Sequence, residues 1–183
     1  MWAATQVVRR DDVEHRALMI QHVLKIATMC RKRNNFHACF ALYAGLSISS
    51  VDRLKKSWKK INAKARARRD QLAALFAPDK NHQSYQQAVR EATPPVVPYI
   101  AITSKQLFAI EDANPTTMEN GMLNLQKLRM LYKLQKQFKA YKKGLEGFVL
   151  GSITSHYQYF NSALDVLSED KLYELSLKRE PRK

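Results

Sequence analysis

Phe108 and Asp112 stand four residues apart in the run Lys105-Gln106-Leu107-Phe108-Ala109-Ile110-Glu111-Asp112. On a helix that spacing projects an aromatic ring and a carboxylate from one face, a pairing that is unusual on a surface. An acid at the C-terminal end of a helix opposes the helix dipole, a small local cost that suggests a use. Glu111 and Asp112 are adjacent, so they diverge and form no acid–base couple. Covalent chemistry finds little support elsewhere: the chain has no Gly-rich phosphate loop, no H-E-x-x-H, no C-x-x-C and no G-x-S-x-G. Its histidines, at 15, 22, 37, 82 and 156, are scattered, and His15 and His22 lie a heptad apart where a metal pair wants i, i+4. Neither a metal site nor a cofactor is expected, nor is bond-making catalysis.

The elements that must hold Phe108 and Asp112 follow from Thr93 to Pro115. Pro94, Pro95 and Pro98 lack backbone donors and bias their predecessors toward extended geometry, so helix waits until they are passed. Ser104 offers an N-cap hydroxyl, and the spacing predicts a two-turn helix from Lys105 to Asp112, stopped by Asn114-Pro115. Pro115 to Gly121 reads as a polar loop and Leu123 to Lys142 as a long helix. Leu131, Leu134, Phe138 and Tyr141 fall on one side of that helix, with Arg129, Lys133, Lys136 and Lys143 nearly opposite. Antiparallel pairing gives a helical hairpin of unequal arms over about residues 104–142.

The remaining chain reads as helix with few breakers: five glycines and six prolines in 183 residues, 45% of them hydrophobic. This is an all-α pattern, taken as a single domain over residues 1–183. Val13, Ala17, Ile20, Leu24 and Ala27 mark a long core helix that Asn34-Asn35 ends. A second helix runs from Phe36 to Tyr43 and stops near Gly45. Ser49-Ser50 caps a third with Val51, Leu54 and Trp58, and Asn62 to Phe76 and His82 to Glu91 follow. Gly144 and Gly147 break the long helix; Ile153, Tyr157, Phe160, Leu164 and Leu167 mark another, and Ser168-Glu169-Asp170 opens the last.

With 31 Lys and Arg against 16 Asp and Glu the formal charge is +15, which attracts acidic proteins, nucleic acid or anionic lipid and by itself chooses among none of them. Cys30 and Cys39 read as reduced core thiols. No apolar run approaches the roughly 18 residues a membrane span needs, and the N-terminal residues lack a secretory apolar core, so a cytoplasmic location is expected.

Four segments carry a resemblance. Thr93 to Pro115, with its prolines, Tyr99 and following helix, resembles the core signature of the Ras-family guanine-nucleotide exchange factor (RasGEF) catalytic domain. Arg33-Asn34-Asn35-Phe36 is similar to the family's L-N-N-F, Ser50-Val51-Asp52-Arg53-Leu54-Lys55-Lys56-Ser57-Trp58 to its V-x-R-L-K-K-T-W, and Leu175-Ser176-Leu177-Lys178-Arg179-Glu180-Pro181 to its closing S-L-x-x-E-P. The matches are collinear from about Val13 to Pro181. The family's domain has further helices before the position matching Val13, and the resemblance implies that this chain lacks them.

The resemblance implies an all-α helical bundle with a protruding hairpin that displaces the switch region of a small Ras-like GTPase and promotes GDP release. Phe108 would place apolar bulk near the magnesium position and Asp112 a negative charge near the phosphates. Phe40, His82 and Tyr99 look like the floor of the pocket that grips the other switch, Ser47 and Lys105 like further GTPase contacts, and Asn114 like the residue that ends the wedge helix. The chain departs from the family pattern at Asp112, where a longer acid is common. Ala113 and Ala101 replace glycines, Ser47 replaces an asparagine, and the aspartate frequent before Leu107 is missing. Two other readings compete: a basic helical nucleic-acid module using Arg129, Lys133, Lys136 and Lys143 with the Arg53 to Arg69 cluster, and an inactive RasGEF-like adaptor that only binds a GTPase. On the exchange reading no specific nucleic acid is expected, and the basic patches admit recruitment to an anionic membrane surface.

Overall fold

A computed structural model describes residues 1–143, 158 and 166–182. Among them are ten helices and no strand, the all-α class that the sequence predicts. Helix α1 (Trp2–Val8) buries Ala3, Ala4, Val7 and Val8, and α2 (Val13–Lys32) buries Ala17, Ile20, Val23, Leu24 and Ala27 along one face. The Asp12 carboxylate accepts from the His15 amide at 3.0 Å and so caps α2. Asn34 ends that helix at φ 57°, the left-handed geometry that asparagine tolerates, and the Asn35 side chain caps α3 by accepting from Ala38 N at 2.9 Å.

Helix α3 (Phe36–Ser47) continues past Gly45, where the sequence predicts a stop. A β-carbon on Gly45 would meet the Ala3 β-carbon at 3.0 Å, so this glycine lets α1 lie close against α3 and terminates nothing. Ser49 and Ser50 lie inside α4 (Ser49–Asp52), whose cap position is Ile48, and the predicted third helix is split at Arg53-Leu54 into α4 and α5 (Lys55–Lys60). Asn62 caps α6 (Ala63–Leu75), its side chain accepting from Ala65 N at 2.8 Å. Helix α7 (Asp79–Glu91) carries Lys80, Asn81 and His82 at positive φ, so regular helix begins after His82. The order closes with α8 (Ile100–Ala113), α9 (Leu125–Tyr141) and α10 (Glu169–Arg179). Leu167 packs against the core, whereas the predicted helix through Ile153, Tyr157, Phe160 and Leu164 lies outside the described residues.

A charged network locks the two ends of the chain together. Arg16 is fully buried; its Nε donates to Ser57 Oγ at 2.9 Å and its Nη1 to the carbonyls of Arg10 and Asp11 at 3.0 and 2.7 Å. Glu180 lies 3.6 Å from the Arg16 guanidinium and accepts from Lys56 N, Ser57 N and Ser57 Oγ at 2.9, 3.0 and 2.8 Å. Arg53 Nη1 adds a 2.6 Å bond to the Ser176 carbonyl. The segments Ser50 to Trp58 and Leu175 to Pro181 thus meet in one place.

Among the described residues no helix is long and apolar enough to cross a membrane. Cys30 and Cys39 are free thiols, and burial pushes the Cys39 thiol up to about 12.

Candidate functional site

The hairpin grows from a foot built by two of the segments singled out in the sequence. Val97 N donates to the Asn34 carbonyl at 2.9 Å, Phe36 N and His37 N donate to the Val97 carbonyl at 2.9 and 3.2 Å, and Asn34 Nδ2 donates to the Thr93 carbonyl at 2.7 Å. Prolines remove donors around this segment, so the remaining amides each find a partner. Val96 N donates to the Tyr141 carbonyl at 3.0 Å, which ties the last turn of α9 to the strip that launches α8. Both arms are therefore clamped at one foot.

Helix α8 begins at Ile100, ahead of the predicted start, and Ser104 lies within it. The proline constraint ends at Pro98; Tyr99, extended at φ −75° and ψ 106°, serves as N-cap, and its amide donates to Tyr85 Oη at 2.7 Å. Burial pushes the Tyr85 phenol up to about 12, so it stays a neutral partner at physiological pH. The arms are consequently of similar length, 14 and 17 residues.

Farther out, Lys127 is buried within the hairpin, its Nζ 2.6 Å from the Glu111 carboxylate and 3.0 Å from Thr116 Oγ1. Asn124 caps α9 by accepting from Lys127 N at 3.1 Å and donates to the Pro115 carbonyl at 3.0 Å. Lys127→Ala is expected to loosen the hairpin by about 1.5–3 kcal/mol, the worth of hydrogen bonds to a charged group. Amide exchange would accelerate in α8 and α9 and stay unchanged in α2, which checks that the clasp is local.

Phe108 is 71% exposed, and Asp112 one turn on is exposed as well. Thr103, Gln106 and Ile110 line the hollows that α8 shares with α9. At 100° per residue these fall on the side of α8 opposite Phe108, so the ring and acid face away from the partner arm. Asn114 closes α8, its Nδ2 donating to the Ile110 carbonyl at 2.9 Å.

Beside the foot, Phe40 and Tyr99 stack with centroids 4.0 Å apart, and Phe76 meets Phe40 edge-on at 5.0 Å. Tyr43 stacks on Phe76 at 6.0 Å. Phe40 and Tyr99 are half-buried, so the aromatic floor presents a face to solvent. Half-buried His82 sits in the left-handed triplet with a buried Nδ1 that makes no hydrogen bond. Lys105 and Asn81 line one hollow of about 430 Å³ against α9. Ser47, at the far end of α3 from the foot, is exposed and donates to the Tyr43 carbonyl at 3.0 Å.

The RasGEF domain model matches residues 1–129, well over half of the chain. The chain belongs to the RasGEF family. It is 28% identical over 182 residues to "Ras guanine nucleotide exchange factor D" of Dictyostelium discoideum, covering 99% of this chain and 27% of that protein. Against mouse "Ras-specific guanine nucleotide-releasing factor 2" the identity is 28% over 179 residues, 98% of this chain and 15% of the relative. Against human "Rap guanine nucleotide exchange factor 5" it is 29% over 185 residues, all of this chain and 31% of the relative. The chain thus spans less than a third of the length of these RasGEF relatives.

Within this RasGEF domain the structure adds residues that sequence reasoning passes over. Tyr85 and Phe76 complete the aromatic floor; Tyr85 and Val89, both buried four residues apart, carry a readable apolar spacing. Lys127 carries none, because nothing local marks one lysine among many as the buried one.

Proposed function

We propose that this RasGEF chain promotes GDP release from a small Ras-like GTPase by inserting the α8–α9 hairpin into the nucleotide site. The observation that carries it is the outward face of α8: an aromatic ring left mostly in water, a carboxylate one turn beyond, on a projection clamped at its foot. The names of the relatives, Ras and Rap factors, support a GTPase of that class.

No covalent step is required. Exchange follows if the chain binds the nucleotide-free GTPase better than the loaded one, since differential affinity for two states shifts their populations. Phe108 supplies apolar bulk where Mg²⁺ would need oxygen ligands, and the Asp112 carboxylate repels phosphate, so each removes a partner the nucleotide depends on. The Phe40–Tyr99 stack offers the second grip, His82, Lys105 and, at the other end of α3, Ser47 add separate contacts, and Asn114 fixes the end of the wedge.

Fluorescent-GDP release from a panel of Ras, Rap, Ral and Rho-type proteins tests the reading, with a DNA-binding titration in parallel. Faster release from at least one member supports it. Binding to a GTPase without faster release would leave an adaptor, and salt-sensitive DNA binding indifferent to every GTPase would replace the reading altogether.

A further inference from the structure

Helix α9 has a second face that the wedge does not use. From Leu125 to Lys143 the chain carries Lys127, Arg129, Lys133, Lys136, Lys139, Lys142 and Lys143 and not one Asp or Glu. Lys127 is spent inside the hairpin. Among the described residues no carboxylate lies within ion-pair distance of Arg129, Lys133, Lys136, Lys139 or Lys143, all of which are exposed. Such one-signed charge destabilises an isolated helix by self-repulsion, and among the described residues no carboxylate offsets it at these positions.

The charge is not alone. Leu125, Leu128 and Tyr132 are 61%, 42% and 63% exposed, and the connecting loop adds Met122 and Leu123, also mostly in water. At 100° per residue Leu125, Leu128, Arg129, Tyr132, Lys136, Lys139 and Lys143 share one sector of α9. Leu134, Met130 and Gln137 line hollows shared with α8 and fall on the opposite side, while Leu128 and Tyr132, at one edge of the stripe, also border the hollow lined by Thr103 and Leu107. The stripe therefore runs along the back and one flank of the hairpin, on the other arm from Phe108. It is apolar at its distal end and cationic toward the foot. A helix of about 25 Å, with leucine, methionine and tyrosine at one end and lysines behind them, has the composition of an element that lies in a lipid interface.

We propose that the back of α9, from Met122 to Lys143, is a docking surface for an anionic phospholipid bilayer. The distal apolar side chains enter the headgroup boundary, Tyr132 sits at the interface with its hydroxyl in water, and the lysines rest on lipid phosphates and carboxylates. An acidic protein would satisfy the charge; a bilayer takes up the lysines and the exposed Met122, Leu123 and Leu125 on one continuous surface. Because most of the stripe, with Leu125, Arg129, Lys136 and Lys143, faces away from α8, the hairpin can rest on lipid and keep its α8 face free.

The test uses the full chain, without any GTPase, and vesicles of phosphatidylcholine alone or with about 30% phosphatidylserine. Sedimentation is expected to show binding to the serine-containing vesicles and little to the neutral ones. Reversing three charges, Arg129→Glu, Lys136→Glu and Lys139→Glu, is expected to weaken partition by roughly 100-fold or more, each cation contributing several-fold at least. A Tyr132→Trp variant is expected to blue-shift on vesicle binding and to be quenched by bromine-labelled acyl chains. All replaced positions are exposed, and far-ultraviolet circular dichroism confirms that the fold survives. Three outcomes overturn the proposal: no binding to anionic vesicles; binding lost on neutralising Lys55, Lys56, Lys59 and Lys64 but kept in the triple variant; or binding with no change in the emission of the Tyr132→Trp variant. Displacement by polyglutamate at equal charge, again without a blue shift, would assign the face to an acidic polypeptide instead.

Discussion

Replacing Glu180 by alanine is expected to lower the unfolding free energy by about 3–5 kcal/mol, the range seen when one partner of a buried ion pair is removed. The loss comes from what is left behind. Arg16 would keep its charge with no counter-ion, and the Lys56 and Ser57 amides, in the first turn of α5, would lose the carboxylate that caps them. Urea denaturation followed by circular dichroism reads the effect; a change under about 0.5 kcal/mol, as for an ordinary surface site, would show that the network holds nothing. Glu180→Gln should lose less, since its carbonyl oxygen still accepts from the amides while the charge on Arg16 stays unbalanced.

The same carboxyl gives an acid limb to stability. Burial pushes Glu180 up, but the Lys56 amide, the Ser57 hydroxyl and amide and the Arg16 guanidinium outweigh it and hold the group below its usual 4.5. A carboxyl depressed in the folded state contributes stability that is fully present above the unfolded value. It is lost as pH falls from about 4.5 through the folded value. The wild-type chain should therefore lose stability over that window, and Glu180→Gln should be flatter there.

Phe108→Ala is expected to slow GTPase nucleotide release by roughly 30-fold or more at limiting chain concentration, the scale of losing an aromatic anchor at an interface. The variant should also bind the nucleotide-free GTPase more weakly. Asp112→Ala is expected to separate the two quantities: release slows about tenfold at saturating chain, while complex formation with the nucleotide-free GTPase, which has no phosphate to repel, changes little. Asp112→Asn should resemble the alanine variant if charge is the active property. Both positions are exposed, so neither change should move the unfolding free energy by more than about 0.5 kcal/mol. Release at the wild-type rate from both variants would remove the hairpin from the mechanism while leaving the fold untouched.

How legible each element is depends on how local its causes are. Asn34 at φ 57° and the Asn35, Asn62 and Asn124 caps can be read from residue type, because a side chain bonding to its own neighbourhood needs no tertiary partner. The start of α8 is misplaced at Ser104 because a hydroxyl there resembles a cap. The cap amide is instead satisfied by Tyr85, 14 residues away, which no local rule supplies. Gly45 misleads for a related reason: its lack of a side chain serves a neighbour, Ala3, that is distant in sequence. Helix α1 escapes notice because its 7 residues are too few to show a period.

The sequence by itself determined the helical class, the order of most helices, the foot at Pro94 to Tyr99 and the placing of Phe108 and Asp112 on one helical face. Each of these rests on periodicity or on a residue's own backbone preference. Only the tertiary structure decided which side of α8 turns outward, which lysine is buried against Glu111, and that Arg16 and Glu180, near opposite ends of the chain, meet. Those facts depend on which surfaces come together in space, and a cation or an aromatic ring reads alike in sequence whether water or another side chain will be its neighbour.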